Sequence, residues 1–132
     1  MEGKFDNEER EGLCNFIKST DRFTNGPLVH EFEKIWSNWV GVKNSAMTNS
    51  GASGNYLSIA ILKHLKGKGE VIVPSLGWST DISSLIQLGL TPVFVDINPN
   101  NLCMDEKALE NAITSKTIGV VLIHTLGFNG LS

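Results

Sequence analysis

Apolar positions along this chain follow two spacings, one typical of helices and one typical of buried strands. Between residues 27 and 40, apolar side chains recur every three or four positions, after a proline in the first turn and before a glycine. Similar spacing, bounded by glycines or by a capping residue, occurs in several other stretches. The pattern therefore predicts helices over residues 7–20, 27–40, 56–65, 79–88 and 105–112.

Short continuous apolar runs lie between these stretches and predict strands over residues 45–47, 71–73, 92–95 and 118–123. Strands that alternate with helices indicate βαβ units and a mainly parallel sheet. We therefore expect an α/β fold with three layers, α/β/α, in which helices cover both faces of the sheet. Residues 1–25 are expected to form an N-terminal helical segment, and residues 26–132 the α/β domain.

Composition narrows the classes of function. The chain has 132 residues, 41% of them hydrophobic, and a formal net charge of −3, which argues against a nucleic-acid-binding protein. It contains no apolar run long enough to span a bilayer and no apolar leader at the start, so no membrane partner is expected. The two cysteines have no metal or redox spacing, and the three histidines are far apart. We expect a cytoplasmic protein without a metal site.

A run of small residues over 48–55 precedes a predicted helix. Small residues at a helix start let an anion approach the bare N–H groups, where the positive end of the helix dipole also favours it. The candidates are Ser50, Gly51, Ala52 and Ser53. The same residues are also ordinary turn and cap chemistry, so spacing alone leaves the phosphate site and the simple cap both open.

Other candidates follow the predicted strands, where ligands gather in parallel sheets. Trp78 could stack on a planar cofactor or simply cover the sheet edge, and Thr80 follows it closely. Asp96 comes before strong turn residues and suits a turn or cap. His124 ends the last strand, where a hydrogen-bonded structural histidine and an acid or base are both compatible with the pattern.

Several motifs, taken in order from about residue 23 to the end of the chain, resemble the DegT/StrS-type sugar aminotransferases. They are the segments at residues 26–29, 32–33, 49–51, 69–74, 78–80, 89, 92–96 and 112–114. The resemblance implies a pyridoxal 5'-phosphate (PLP) enzyme that acts on a nucleotide-linked keto sugar. It also implies the aspartate aminotransferase fold (fold-type I), with an active site at a homodimer interface. Residues 26–132 would then be an incomplete PLP-binding large domain.

The resemblance also assigns roles to single positions. The family's phosphate loop matches Gly51 and Ala52, which would bind through backbone amides. A hydroxyl usual in the family is missing at Ala52, and Ser53 is the neighbouring hydroxyl that can replace it. Trp78 matches the aromatic residue that lies against the pyridine ring. Thr80 and His124 match positions at the rim of the active site, with no role beyond contacts.

Within the family, the segment at residues 49–51 followed by Asn55, together with residues 78–80 and 124–127, is similar to the deoxysugar 3-dehydratase branch. In that branch a histidine replaces the Schiff-base lysine and the cofactor acts as pyridoxamine 5'-phosphate (PMP). The family's pattern places that lysine or histidine, and the small domain, beyond Ser132. We therefore expect an N-terminal part of a longer enzyme, inactive alone. A sugar aminotransferase, a sugar-nucleotide 3-dehydratase and a non-catalytic binding or interaction fragment are the alternatives.

Overall fold

A computed structural model describes residues 4–130 and divides the chain into two compact units, one ending at Met47 and the other beginning at Thr48. The elements in chain order are α1 (Asn7–Ser19), α2 (Pro27–Val40), α3 (Gly51–Lys66), β1 (Glu70–Pro74), α4 (Ser79–Gln87), β2 (Thr91–Val95), α5 (Glu106–Ala112) and β3 (Thr117–Val120). A short 3-10 turn, Thr125–Gly127, follows β3. No helix within residues 4–130 is both long enough and apolar enough to cross a bilayer. The predicted boundary after residue 25 stays a prediction.

The first unit contains α1 and α2. The carboxylate of Asp6 accepts the Glu9 N–H at 2.8 Å, and the Glu9 carboxylate accepts the Asp6 N–H at 2.9 Å, so the start of α1 is capped in both directions. α2 begins with Pro27 and ends before Gly41, whose φ of 80° suits glycine. Both helices therefore begin where the sequence predicts, and they end within one residue of the predicted position.

The predicted strand at residues 45–47 is wrong. Here the Met47 N–H donates to the Glu33 carboxylate at 2.8 Å, and the hydroxyls of Ser37 and Ser45 lie 2.8 Å apart. The segment is therefore fastened to α2 by side chains and joins no strand in the described part of the chain. The bond from Met47, with a smaller contribution from His30, lowers the pKa of Glu33 below its usual range.

The second unit is built on a parallel sheet in the order β2-β1-β3. Successive β1 side chains point to opposite faces. Val71 and Val73 pack with residues of α3 and α4, whereas Ile72 packs with Val95 and α5. All three β1 residues are fully buried, as a strand covered on both faces requires. The predicted three-layer α/β/α architecture is confirmed.

Two boundaries differ from the prediction in ways that affect the site. α3 begins at Gly51 rather than Tyr56, because Ser50 caps it and the small residues after Ser50 form its first turn. β3 ends at Val120, although the Val121 N–H still donates to the Ile72 carbonyl at 2.8 Å. The small-residue stretch is therefore mostly helix rather than loop.

Candidate functional site

The helices α3 and α4 begin at the same edge of the sheet. α3 leads into β1 and α4 follows β1, so both amino ends lie at the edge where the parallel strands end. A hydrogen bond joins the two helix starts directly, because Asn55 Nδ2 donates to Asp81 Oδ1 at 2.6 Å. The structure therefore brings the phosphate candidates and the Trp78 region together at one edge, the α3/α4 rim, which we define as residues 50–55 and 77–81.

The start of α3 leaves two backbone donors open. The Ser53 N–H donates to the Ser50 hydroxyl at 3.2 Å, and the Gly54 N–H donates to the Ser50 carbonyl at 3.1 Å. Within residues 4–130, the N–H groups of Gly51 and Ala52 have no hydrogen-bond partner. Gly51 and Ala52 are both exposed, and a Cβ built on Gly51 would meet no atom within 4 Å. Two adjacent bare amides at a helix start fit a phosphate.

Ser53 contributes to the rim through its hydroxyl rather than its N–H. Its N–H is used by the Ser50 cap, while its Oγ lies 3.1 Å from Ser50 Oγ and accepts from it. The hydrogen of the Ser53 hydroxyl is then available to a ligand. Ser53 therefore offers the kind of donor that Ala52 lacks.

Trp78 stands exposed at the start of α4. Its side chain is 74% exposed, while its N–H donates to Asp81 Oδ2 at 3.0 Å. The backbone before it is closely packed, because a Cβ on Gly77 would lie 2.8 Å from Ile123 Cδ1. An exposed indole on a closely packed backbone is suited to stacking against the face of a flat ring.

Thr80 and His124 have less specific surroundings. Thr80 is half-buried, and its carbonyl accepts from the Ser84 hydroxyl at 2.9 Å. His124 is exposed beyond β3, at the same edge of the sheet, and its Nδ1 accepts the Gly130 N–H at 3.0 Å. The neutral imidazole therefore carries its hydrogen on Nε2 and can donate from it. No hydrogen bond ties Thr80 or His124 to the residues that join α3 and α4 in the described part of the chain.

The joining residues, Asn55 and Asp81, were not among the predicted site residues. Asp81 lies in the first turn of α4, three positions after Trp78, where an acidic residue is common for capping alone. Asn55 lies one helical turn after Gly51. These spacings were visible in the sequence, but the contact between residues 26 positions apart was not.

A cavity of about 210 Å³ lies beside this bridge and has both polar and apolar walls. It is lined by Asn55, Ser58, Ile59, Asp81, Val120 and Val121. Within residues 4–130, no three His, Cys, Asp or Glu side chains are grouped as metal ligands would be. The rim therefore offers anion donors, an aromatic face and a mostly apolar cavity with a few polar groups, which suit a phosphorylated planar cofactor.

Known proteins match most of the chain. The model of the DegT/DnrJ/EryC1/StrS aminotransferase family matches residues 4–129. GDP-4-keto-6-deoxy-D-mannose 3-dehydratase of Yersinia pseudotuberculosis is 38% identical over 128 residues, covering 93% of this chain and 32% of that protein. 3-Oxo-glucose-6-phosphate:glutamate aminotransferase of Bacillus subtilis is 32% identical over 124 residues, covering 92% of this chain and 28% of that protein.

Solved structures agree with these matches. The E. coli GDP-4-keto-6-deoxy-D-mannose-3-dehydratase with bound hydrated PLP has a TM-score of 0.79 and 34% identity, covering 91% of this chain and 32% of that one. Other similar structures contain PMP. The chain spans about a third of the length of the curated relatives it matches. On its match over residues 4–129, this chain belongs to the DegT/DnrJ/EryC1/StrS aminotransferase family.

Proposed function

We propose that this chain supplies the phosphate-holding, amino-terminal part of a PLP-dependent aminotransferase that acts on a nucleotide-linked keto sugar in deoxy- or amino-sugar biosynthesis. The observation that carries the proposal is the pair of bare amides at Gly51 and Ala52, joined through the Asn55–Asp81 bridge to the start of α4, where Trp78 stands exposed. Family membership supports the choice of cofactor and reaction.

Each predicted site residue has a stated part in this proposal. The amides of Gly51 and Ala52 hold the phosphate ester, and the Ser53 hydroxyl adds a further donor. The indole of Trp78 lies against the flat ring and keeps its orientation. Thr80 and His124 contact the sugar-nucleotide substrate. Bound PLP or PMP supplies the electron sink for reaction at the carbon next to nitrogen.

No residue of this chain is assigned as the catalytic acid, base or nucleophile. On the family's pattern, the reactive lysine or the histidine that replaces it lies beyond Ser132. We also infer that the whole enzyme is a homodimer that works in the cytoplasm, and we base this on the family resemblance. The chain alone is then expected to bind cofactor without turning over substrate.

A PMP-dependent sugar-nucleotide 3-dehydratase is the second candidate. The 38% identity with the Yersinia pseudotuberculosis 3-dehydratase, and the similar fold of the E. coli enzyme, favour it. Both reactions need the same phosphate cradle and ring platform, so the rim serves either. The whole enzyme, incubated with GDP-4-keto-6-deoxy-D-mannose and glutamate, separates them: an aminated sugar indicates transamination, and loss of the 3-hydroxyl indicates dehydration.

The cofactor site is tested by titrating the purified chain with PMP and following PMP fluorescence. We expect saturable binding with competition by inorganic phosphate, and no lysine imine band when PLP is added instead. A parallel titration with pyridoxamine, which lacks the phosphate, is the matched ligand control and should bind far more weakly. Absence of saturable PMP binding by a folded chain would favour the non-catalytic interaction fragment and overturn the proposal.

A further inference from the structure

The carboxylate of Asp81 connects the starts of α3 and α4. Oδ1 accepts from the Asn55 side chain at 2.6 Å, and Oδ2 accepts the Trp78 N–H at 3.0 Å. The Asp81 N–H donates in return to the Trp78 carbonyl at 3.0 Å. Asn55 and Asp81 are both half-buried, so water competes only in part for these bonds. Asp81 therefore bonds to both the N–H and the carbonyl of Trp78 and links this backbone to α3.

Asn55 connects this arrangement to the open amides. It lies four positions after Gly51, so both are on one face of α3, about 6 Å apart along the axis. Helix side chains tilt toward the amino end, which directs the Asn55 amide toward the first turn. The Asn55–Asp81 bond therefore links the Trp78 backbone to the helix that carries the donors of Gly51 and Ala52.

The side chain of Trp78 has few other supports. It is 74% exposed, and it takes part in none of the aromatic ring contacts of the described residues. The close approach of Gly77 to Ile123 locates the backbone before Trp78 relative to the segment after β3, but not relative to α3. The Asp81 bridge thus links the backbone that carries the indole to the helix that carries the phosphate cradle.

We propose that Asp81 is a positioning residue for the cofactor, linking the Trp78 backbone to the start of α3 so that one PMP molecule contacts both the indole and the Gly51 and Ala52 amides. This inference rests on the proposed function. A carboxylate suits the role because its two oxygens accept from two donors at once. Asparagine can replace it, since its oxygen can accept from Trp78 and its amide can donate to a flipped Asn55.

A double-mutant cycle with PMP tests the proposal. Asp81→Ala should raise the PMP dissociation constant about tenfold, equivalent to about 1.4 kcal/mol. In a Trp78→Ala background, Asp81→Ala should have little further effect, because the indole it positions is already gone. Asp81→Asn should restore most of the affinity. A purely structural role would give equal losses in both backgrounds.

Two further variants separate the effect of the bridge on PMP binding from a general loss of stability. Asn55→Ala cuts the link to α3 while leaving the Asp81–Trp78 bond, and it should also weaken PMP binding. Asp105→Ala is the matched control, because Asp105 caps α5 through the Ala108 N–H at 2.8 Å but takes no part in the bridge. It should lower the unfolding midpoint and leave PMP affinity unchanged. Circular dichroism verifies that each variant is folded.

The outcomes are distinguishable. If the wild-type chain binds PMP and both Asp81→Ala and Asn55→Ala bind it equally well, the positioning role is overturned and the proposed function stands. If Asp81→Ala weakens PMP binding by the same factor with Trp78 present and with Trp78→Ala, the positioning role is also overturned. If the folded wild-type chain does not bind PMP at all, the proposed function fails and the positioning role fails with it.

Discussion

Replacing Gly51 with proline would remove one donor of the proposed phosphate cradle without breaking a hydrogen bond of the fold. Gly51 is the first residue of α3, a position that suits proline, and its N–H has no partner within residues 4–130. Ser50 is already extended, with φ −164° and ψ 160°, as the residue before a proline must be. The Cβ would enter open space. Gly51→Pro therefore separates the binding role of this amide from its structural role.

The magnitude follows from the charge on the ligand. A hydrogen bond to a charged group contributes about 1.5–3 kcal/mol. Its loss should raise the PMP dissociation constant roughly 10- to 150-fold. Stability should not fall, because a proline that fits the native backbone reduces the entropy of the unfolded chain and stabilises by about 0.4–1 kcal/mol. The variant should therefore bind worse and melt no earlier.

PMP fluorescence titration of the wild type, Gly51→Pro and Gly51→Ala measures the effect. Gly51→Ala is the matched control, because it adds the Cβ but keeps the N–H, so its affinity should stay close to that of the wild type. Thermal unfolding verifies that Gly51→Pro is folded. A folded Gly51→Pro variant with wild-type PMP affinity would refute the assignment of this amide to the phosphate.

Further predictions concern stability, pH and the indole. Gly69→Ala should lower the free energy of unfolding by roughly 1–3 kcal/mol, because the new Cβ would lie 2.8 Å from the Lys116 carbonyl oxygen; an unchanged urea midpoint would contradict this packing. The bond from the Met47 N–H lowers the pKa of Glu33 from its usual value of 4.5. The stabilisation that the charged Glu33 carboxylate gives to the fold is therefore complete above pH 4.5 and is lost as the pH falls through the folded-state pKa. Glu33→Gln should make the loss of stability at acid pH smaller, as measured by urea unfolding at a series of pH values. An unchanged dependence on pH would refute the contribution of Glu33 to stability. Trp78→Ala should keep the wild-type melting temperature, because Trp78 is 74% exposed, but it should bind PMP more weakly in a fluorescence titration. A Trp78→Ala variant with wild-type PMP affinity would show that the indole does not contact the cofactor.

Side-chain periodicity was sufficient for most of the fold. The fully apolar run of β1 predicts a strand buried on both faces, and Val71 and Ile72 do pack on opposite sides of the sheet. The proline and the glycine that bound the helical spacing of α2 give both of its ends correctly. These features are local, because burial on a given face requires an apolar residue at each matching position. The alternation of strand and helix depends on the same local signals.

Other features required the tertiary structure. The segment at residues 45–47 has apolar residues typical of a strand, but the Glu33 carboxylate takes the Met47 N–H and the segment joins no sheet. The start of α3 at Gly51 was missed because glycine, alanine and serine carry no periodic apolar signal, while the Ser50 cap decides where the helix begins.

Part of the candidate site could likewise be predicted from the sequence, and part required the tertiary structure. The sequence predicts Gly51, Ala52, Ser53 and Trp78 as candidates, because small residues before a helix and an aromatic after a strand have recognisable chemistry. The Asn55–Asp81 bond was not found, since each residue alone resembles an ordinary polar residue of a first helical turn. A sequence specifies which side chains can pair, but the choice of partner depends on where the sheet places two helix starts. In this protein the sequence determined the layers and the donors, and the tertiary structure decided which of them meet at the α3/α4 rim.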